Sequence, residues 1–393
     1  MKLAVVTPRY GAQVAGGAET AARMLASRLA ARGGWDVEVL TTVALDAATW
    51  APAADPGTTV EDGVTVRRFA VSGTRAADFD RLTRRILARP ADATADEQRR
   101  WVEAQGPVAP GLLDAVANSD ADVVAFHTYL YHPTVEGLPR VAGRAVLHPA
   151  AHDEAPIRLP CYRDLFGAAA GLVFWSDAER RFAQARFPIG ARRQLVLGLG
   201  VEARPGDAAA ARAATGLGDR PYLLCLGRVD DGKGARLLYE CFAAYKRRRP
   251  GPLALVFAGP VVHPPPGHPD VVVTGAVDEP VKWGLLRGAQ ALVSPSAYES
   301  FSIVLLEAWS VGTAALVNGR CAVTRDHALR SGGALAFTDY AELEVALDRL
   351  LASPGLRARL GARGAEYVRT HYHWTDLLDR YDAFLRAVAR AAR

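Results

Sequence analysis

The chain is poor in several features that would place it in a familiar class. It has four cysteines, Cys161, Cys225, Cys241 and Cys321, scattered without metal-ligand spacing. That argues against a metal centre and predicts reduced thiols in a cytoplasmic protein. No stretch reaches the roughly 18 apolar residues of a membrane span. The opening Met1-Lys-Leu-Ala-Val-Val-Thr-Pro reads as a short strand and not as a signal peptide, because no apolar core of sufficient length follows it. Lysine is scarce: Lys2, Lys233, Lys246 and Lys282 stand among 47 basic residues, and the rest are arginine. The net charge of +5 is modest, and no basic stripe is interleaved with aromatics, so no nucleic-acid partner is expected. The run Lys246-Arg-Arg-Arg249 before Pro250 reads as a solvated helix end, where the dipole favours cations.

What is there is an α/β alternation. With 393 residues, half of them apolar, the chain is too long for one ordinary core and suggests two domains. Strands are expected at Leu3 to Thr7, Val37 to Thr42, Val64 to Phe69, Asp122 to Phe126, Ala145 to His148 and Gly171 to Phe174, with a helix over Glu19 to Arg32. The series restarts after the Gly/Pro/Ala-rich stretch Gly198 to Asp219, with strands at Tyr222 to Leu226, Leu253 to Ala258, Val271 to Thr274 and Ala291 to Ser294. Such βαβ series form parallel sheets covered on both faces. The expected organisation is a first doubly wound, Rossmann-like domain over 1–200, a second over 201–372, and a last helix, 373–393, lying back on the first. Ligands of open α/β sheets bind beyond the carboxyl ends of the strands. Three strand-to-helix turns therefore draw the search for a site.

The most informative is Ser294-Pro-Ser-Ala-Tyr-Glu299-Ser-Phe-Ser-Ile-Val-Leu-Leu-Glu307. A helix opening near Ser302 presents free N–H groups and a positive dipole end to an anion such as a diphosphate. Glu299 before that end and Glu307 inside it are badly placed to hold the anion. They are well placed to accept hydroxyls on either side of it. First-turn glutamates are also common for reasons of dipole alone. In the second turn, Gly227-Arg228 and Lys233-Gly234 set two cations five positions apart on a tight loop. Arg forks two phosphate oxygens and Lys acts as a point charge, although a surface loop with solvated cations has the same composition. The third, Gly16-Gly17-Ala-Glu19, lets the backbone approach a ligand closely; an ordinary turn with Glu19 as a first-turn residue fits it equally.

Histidines stand at strand ends, at His127 and in His148-Pro-Ala-Ala-His152. Their spacing matches no zinc pattern, and a hydrogen bond to a substrate hydroxyl is the better functional role. Asp120-Ala-Asp122 precedes a strand and reads as turn chemistry. Arg84 to Arg100 is rich in Arg but interspersed with Pro and acids, and reads as a solvated segment and not as a lipid-binding helix.

Taken together, the three turns resemble the retaining, nucleotide-sugar-dependent family-4 glycosyltransferases of the GT-B fold, over nearly the whole chain. The E-x7-E element looks like Glu299/Glu307, the cation pair like Arg228/Lys233, and the N-terminal glycine loop like Gly16/Gly17. Val173-Phe-Trp-Ser176-Asp-Ala-Glu179 and Gly275-Ala-Val277-Asp-Glu279 add to the likeness. The resemblance implies two Rossmann-like domains facing across a cleft, the second binding a nucleotide-diphosphate sugar as donor substrate, with no cofactor and no metal. It implies that Arg228 and Lys233, with Gly227, hold the diphosphate and stabilise the leaving group. Backbone N–H groups over Ser300, Phe301, Ser302, Ile303 and Val304 extend that site. Glu307 takes the ribose hydroxyls, Glu299 the donor sugar, and Val277 lies by the base, while His127 matches the family's His against the transferred sugar. The catalytic set is therefore Glu299, His127, Arg228 and Lys233.

By the same resemblance the first domain binds the acceptor, a glycan, lipid-linked molecule or natural product, and Tyr129, Tyr131 and His152 are its candidates. Peripheral membrane contact stays open, as do the donor base (UDP, GDP or ADP) and the sugar. Two departures bear on the sugar pocket: Ser302 stands where the family usually has Gly, and Asn318-Gly-Arg-Cys-Ala-Val replaces its Gly-rich run. Two other functions share these residues, a sugar-nucleotide epimerase of the same fold and a non-catalytic nucleotide-sugar-binding partner of another transferase.

Overall fold

The structure is a computed structural model that describes residues 1–393 except Ala15. It divides into two compact units, Met1–Gly198 with Thr375–Arg393, and Leu199–Trp374. Each is built on one sheet.

In the first unit the strands are β1 (Lys2–Val6), β2 (Asp36–Thr42), β3 (Gly57–Glu61), β4 (Val64–Phe69), β5 (Val123–His127), β6 (Ala145–His148), β7 (Gly171–Phe174) and β8 (Arg193–Val196). Their order is β3-β4-β2-β1-β5-β6-β7-β8. All pairs are parallel except the β3–β4 hairpin. The central strands are buried on both faces and read as continuous apolar runs, as parallel strands covered by helices must. The helix Trp374–Ala392 joins this unit from residue 375 onward. Its Tyr381 hydroxyl lies 3.0 Å from His148 Nε2, and its Asp382 accepts from Trp35 Nε1 at 2.6 Å.

The second unit has β9 (Tyr222–Leu226), β10 (Ala254–Ala258), β11 (Val271–Gly275), β12 (Ala291–Ser294), β13 (Ala315–Asn318) and β14 (Ala334–Phe337). The order is β11-β10-β9-β12-β13-β14, parallel throughout. A core of Leu223, Leu255, Phe257, Val293 and Leu316 from the sheet packs on Leu238, Phe242 and Leu347 from its helices.

Four strands escape the sequence reading: β3, β8, β13 and β14. The last three have only four residues each. The β3–β4 hairpin did carry a signal, Asp62-Gly63, both at positive φ (49° and 77°), the combination that two-residue hairpin turns demand. The segment Arg84 to Arg100 also needs correction. It lies in two helices, Phe79–Leu87 and Ala95–Gln105, the second opened by a Thr94/Glu97 capping box. Leu82, Ile86, Trp101 and Val102 recur at helical spacing and enter the core of the first unit, so only the arginine-bearing faces are solvated. Among the described residues, no helix is long and apolar enough to cross a membrane.

Candidate functional site

Each sheet has one place where the strand order reverses direction, between β9 and β12 in the second unit and between β1 and β5 in the first. The loops leaving the carboxyl ends of such neighbours diverge to opposite faces and leave a crevice for ligands. In the second unit these are the loops that carry Arg228/Lys233 and Glu299.

The loop after β9 is organised by Asp230, which is buried. Its carboxylate accepts the Lys233 backbone N–H at 2.7 Å and pairs with the Arg228 guanidinium. Gly227 adopts φ 123°, and a side chain on the facing Gly259 would meet the Gly227 carbonyl at 2.1 Å. Gly234, at φ 77°, lies so close to the loop after β12 that a Cβ would fall 2.8 Å from the Pro295 carbonyl. This close approach brings Lys233 Nζ to 2.8 Å from Glu299 Oε1. Arg228, held by Asp230, stays exposed, so that its guanidinium can be met by an anion from solvent.

The loop after β12 is held by its own polar groups. Ser296 Oγ donates to the Tyr298 carbonyl at 2.9 Å, and Asn318 Nδ2 donates to the Pro295 carbonyl at 2.9 Å. Phe301 is buried edge-on against His327 and Tyr372. Ser300 and Phe301 lead into Ser302, the N-cap of Ile303–Ser310. Ser302 sits in the left-handed region (φ 67°, ψ 66°) with no side-chain cap bond, and its buried Oγ has no partner. That conformation favours glycine, a physical reason for the glycine that the resemblance places there. The first-turn N–H groups, those of Ile303 and Val304 among them, have no intrahelical acceptor and point out of the helix end.

Glu307, the fifth residue of this helix, is also held by a lysine. Lys282, from the helix Glu279–Gly288, places Nζ 3.0 Å from Glu307 Oε1 and 2.7 Å from Glu279. Burial pushes the Glu307 carboxyl above the ordinary carboxylate range, and Lys282 pulls it back. Val277 follows β11 and is half-buried, just before Asp278, which caps the Glu279–Gly288 helix by accepting from the Val281 N–H at 2.9 Å.

In the first unit, Gly16 is the N-cap of the helix Gly17–Arg32. A Cβ on Gly16 would lie 2.2 Å from the Glu19 carboxylate, so the missing side chain makes room for a buried pair between Glu19 and Arg9. Glu19 is thereby neutralised within the protein; Gly17 faces open space. His127 ends β5, with its ring stacked on that of His148 at 4.1 Å. Burial lowers its pKa to about 3, so the ring is neutral at physiological pH, and its Nδ1 has no partner in the protein. Nearby, the buried Glu179 accepts N–H groups from Ala151 (2.7 Å) and Trp175 (2.6 Å), joining the loops after β6 and β7.

The acceptor candidates are not equivalent. Tyr129 is 1% exposed, packs edge-on against Tyr162 at 4.7 Å and donates its hydroxyl to Glu154 at 2.6 Å. His152 Nδ1 lies 3.7 Å from the same Glu154. Tyr131 stands apart, edge-on to Trp50 at 5.3 Å. Glu154, Asp230 and Lys282 were not singled out from the sequence; each acts on a residue that was. Of these, only Lys282 carried a signal, as one of four lysines. Asp120 pairs with Lys2, and Asp122 with Arg393 and the Lys2 N–H, at the amino end of β5. That is the end opposite the crevice loops. Among the described residues no group of three or more His, Cys, Asp and Glu side chains is gathered as a metal site would need.

Residues 220–353 match a family model described as glycosyl transferases group 1. The chain is 33% identical over 236 residues to a D-inositol 3-phosphate glycosyltransferase of Frankia alni, covering 53% of this chain and 57% of the relative. It is 28% identical over 409 aligned positions to the protein of that name from Acidothermus cellulolyticus, covering 93% and 84%. The match spans about half the length of the first curated relatives. Among solved structures, a sucrose-phosphate synthase from Thermosynechococcus elongatus superposes with a TM-score of 0.72 at 19% identity, covering 99% of both chains. An Anabaena protein in complex with UDP and glucose gives 0.71 at 14% identity, covering 98% and 99%. With the two parallel sheets, these likenesses show the GT-B fold.

Proposed function

We propose that the chain is a glycosyltransferase that moves a sugar, with retention and without a metal, from a nucleotide-diphosphate donor to a sugar, lipid-linked or natural-product acceptor. The observation that carries this reading is the 2.8 Å pair between Lys233 and Glu299. It joins the cationic loop after β9 to the start of Ile303–Ser310 at the switch point of the second unit. The region involved lies inside the stretch that matches the glycosyl transferase group 1 model.

The roles follow from the chemistry. As the anomeric bond breaks, positive charge develops on the sugar and negative charge on the departing diphosphate. Arg228 and Lys233 are fixed cations for that diphosphate, and the N–H groups of Ile303 and Val304 add oriented dipoles. Glu299, already steered by Lys233, accepts from a hydroxyl of the donor sugar. Glu307 accepts from the ribose hydroxyls, and Val277 borders the base. His127 suits a hydrogen bond to a sugar hydroxyl because it is neutral. The names of the relatives, D-inositol 3-phosphate glycosyltransferase among them, support a polyhydroxylated acceptor, for which His152 and Tyr131 are the more accessible candidates and Tyr129 positions Glu154.

Calorimetry against UDP, GDP and ADP, and then against their sugars, tests the donor site. One diphosphate is expected to bind, and its sugar to be consumed when acceptors are supplied. Failure of all three to bind would sink the reading. Sugar isomerisation without acceptor would replace transfer by epimerisation.

A further inference from the structure

Lys282 is oddly placed for a surface cation. It lies in the first turn of Glu279–Gly288, where the helix dipole disfavours positive charge. It is nevertheless largely buried, its side chain 18% exposed, with Nζ between Glu307 and Glu279 and 5.1 Å from the Trp283 ring. It is also one of only four lysines in the chain. Arginine would fork both carboxylate oxygens, whereas lysine is a point charge. Lys282 engages Glu307 through Oε1, which leaves Oε2 to a ligand.

We propose that Lys282 is a positioning residue of the donor site, whose ammonium, bound to Glu307 Oε1, holds that carboxylate in place as the acceptor for the vicinal hydroxyls of a ribose. The inference rests on the donor-site reading above and deepens it. Glu307 is 14% exposed on a helix of apolar residues. The charged groups that bear on it are Lys282 and Glu279 from the one helix and Arg204 from the segment before Ala208–Ala214. Arg204 reaches Glu279 at 3.4 Å and acts on Glu307 only at a distance, whereas Lys282 bridges Glu279 (2.7 Å) and Glu307 (3.0 Å) and is the cation hydrogen-bonded to Glu307. The helix Pro354–His371 meets Ile303–Ser310 through glycine, Gly364 against Trp309, and its charged side chains, Arg363 and Glu366 beside that glycine, are not among the groups that act on Glu307. Without the ammonium, burial is opposed less and pushes the Glu307 carboxyl further up, and a neutral carboxyl accepts hydroxyl hydrogen bonds more weakly than an ionised one.

The test is calorimetry of wild type, Lys282→Met and Lys282→Arg with UDP, GDP and ADP, from about pH 6 to pH 8.5. The diphosphate that binds is then repeated as its 2′,3′-dideoxy form. Lys282→Met is expected to weaken that diphosphate about tenfold, with a further loss as the pH falls because Glu307 becomes protonated. Lys282→Arg is expected to retain the wild-type pH profile. The penalty is expected to vanish for the dideoxy nucleotide, which has no hydroxyls for Glu307 to accept. Equal affinity and pH profile in Lys282→Met and wild type would overturn the inference while leaving the donor site standing. So would an undiminished penalty with the dideoxy form. Failure of the wild type to bind any of the diphosphates would remove the donor site and this inference with it.

Discussion

Lys233 Nζ and Glu299 Oε1 lie 2.8 Å apart across 66 positions of sequence. A cation proposed for the donor phosphates thus also orients the carboxylate proposed for the donor sugar. Removing it both deprives the leaving group of a fixed charge and leaves the largely buried Glu299 unpaired. Lys233→Ala and Arg228→Ala are each expected to lower donor turnover by about 10²–10³, read as kcat/KM with the sugar nucleotide that binds. Retention of full turnover by both would exclude the leaving-group role.

The approach of the two loops depends on Gly234. Ala at this position takes on the left-handed backbone and a Cβ 2.8 Å from the Pro295 carbonyl. Gly216, at φ 67° with nothing within 4 Å of its Cβ position, carries only the conformational part. Gly216→Ala is expected to lose about 1 kcal/mol. Gly234→Ala should lose about 1–3 kcal/mol more and bind the nucleoside diphosphate more weakly. Denaturant titrations and calorimetry on the two variants separate these effects; identical behaviour would mean that the loops can part without cost.

Ser302 combines a left-handed backbone with a buried hydroxyl that no group satisfies. Both features oppose folding. Ser302→Gly is expected to stabilise the protein by about 1 kcal/mol, seen as a higher denaturation midpoint with an unchanged slope. A lower midpoint would show that the hydroxyl has a stabilising contact.

Acid stability gives an independent check on the second core. Burial lowers the His327 pKa from 6.5 to about 4, and its Nδ1 lies 3.1 Å from the Tyr367 hydroxyl. Between those values the unfolded chain binds a proton that the native state refuses. The resulting stability is complete above pH 6.5 and is lost as the pH falls toward 4. The slope approaches about 1.4 kcal/mol per pH unit. His327→Gln, which keeps a hydrogen-bond partner for Tyr367, should flatten the acid limb by that amount in urea titrations at several pH values. Equal slopes in the two proteins would count against a neutral buried imidazole.

Much of the second unit was legible in the sequence. Tyr222–Leu226 and Ala291–Ser294 are apolar runs ending in glycine- or proline-bearing turns, and local chemistry is enough to mark such places. His127 and Tyr129 show the opposite case. A ring at a strand end reads the same whether it faces a ligand or the core, and only the packing shows Tyr129 against Tyr162 and its hydroxyl on Glu154. Glu19 likewise reads as a first-turn residue beside two glycines, and only the packing pairs it with Arg9. Gly57–Glu61 was missed because an exposed, polar edge strand has no buried face to impose a period.

The sequence by itself determined the α/β alternation, the restart after the stretch Gly198 to Asp219, and the glycine-bearing turns after β1 and β9, because these depend on backbone propensity and short-range apolar period. It also contained the two glutamates and the scarce lysines as separate facts. Only the tertiary structure decided that Lys233 belongs to Glu299 and Lys282 to Glu307, since a charge pair forms wherever the sheet order brings two loops together. That order, with β9 between β10 and β12, is set by the burial of whole strands and not by any residue at the site.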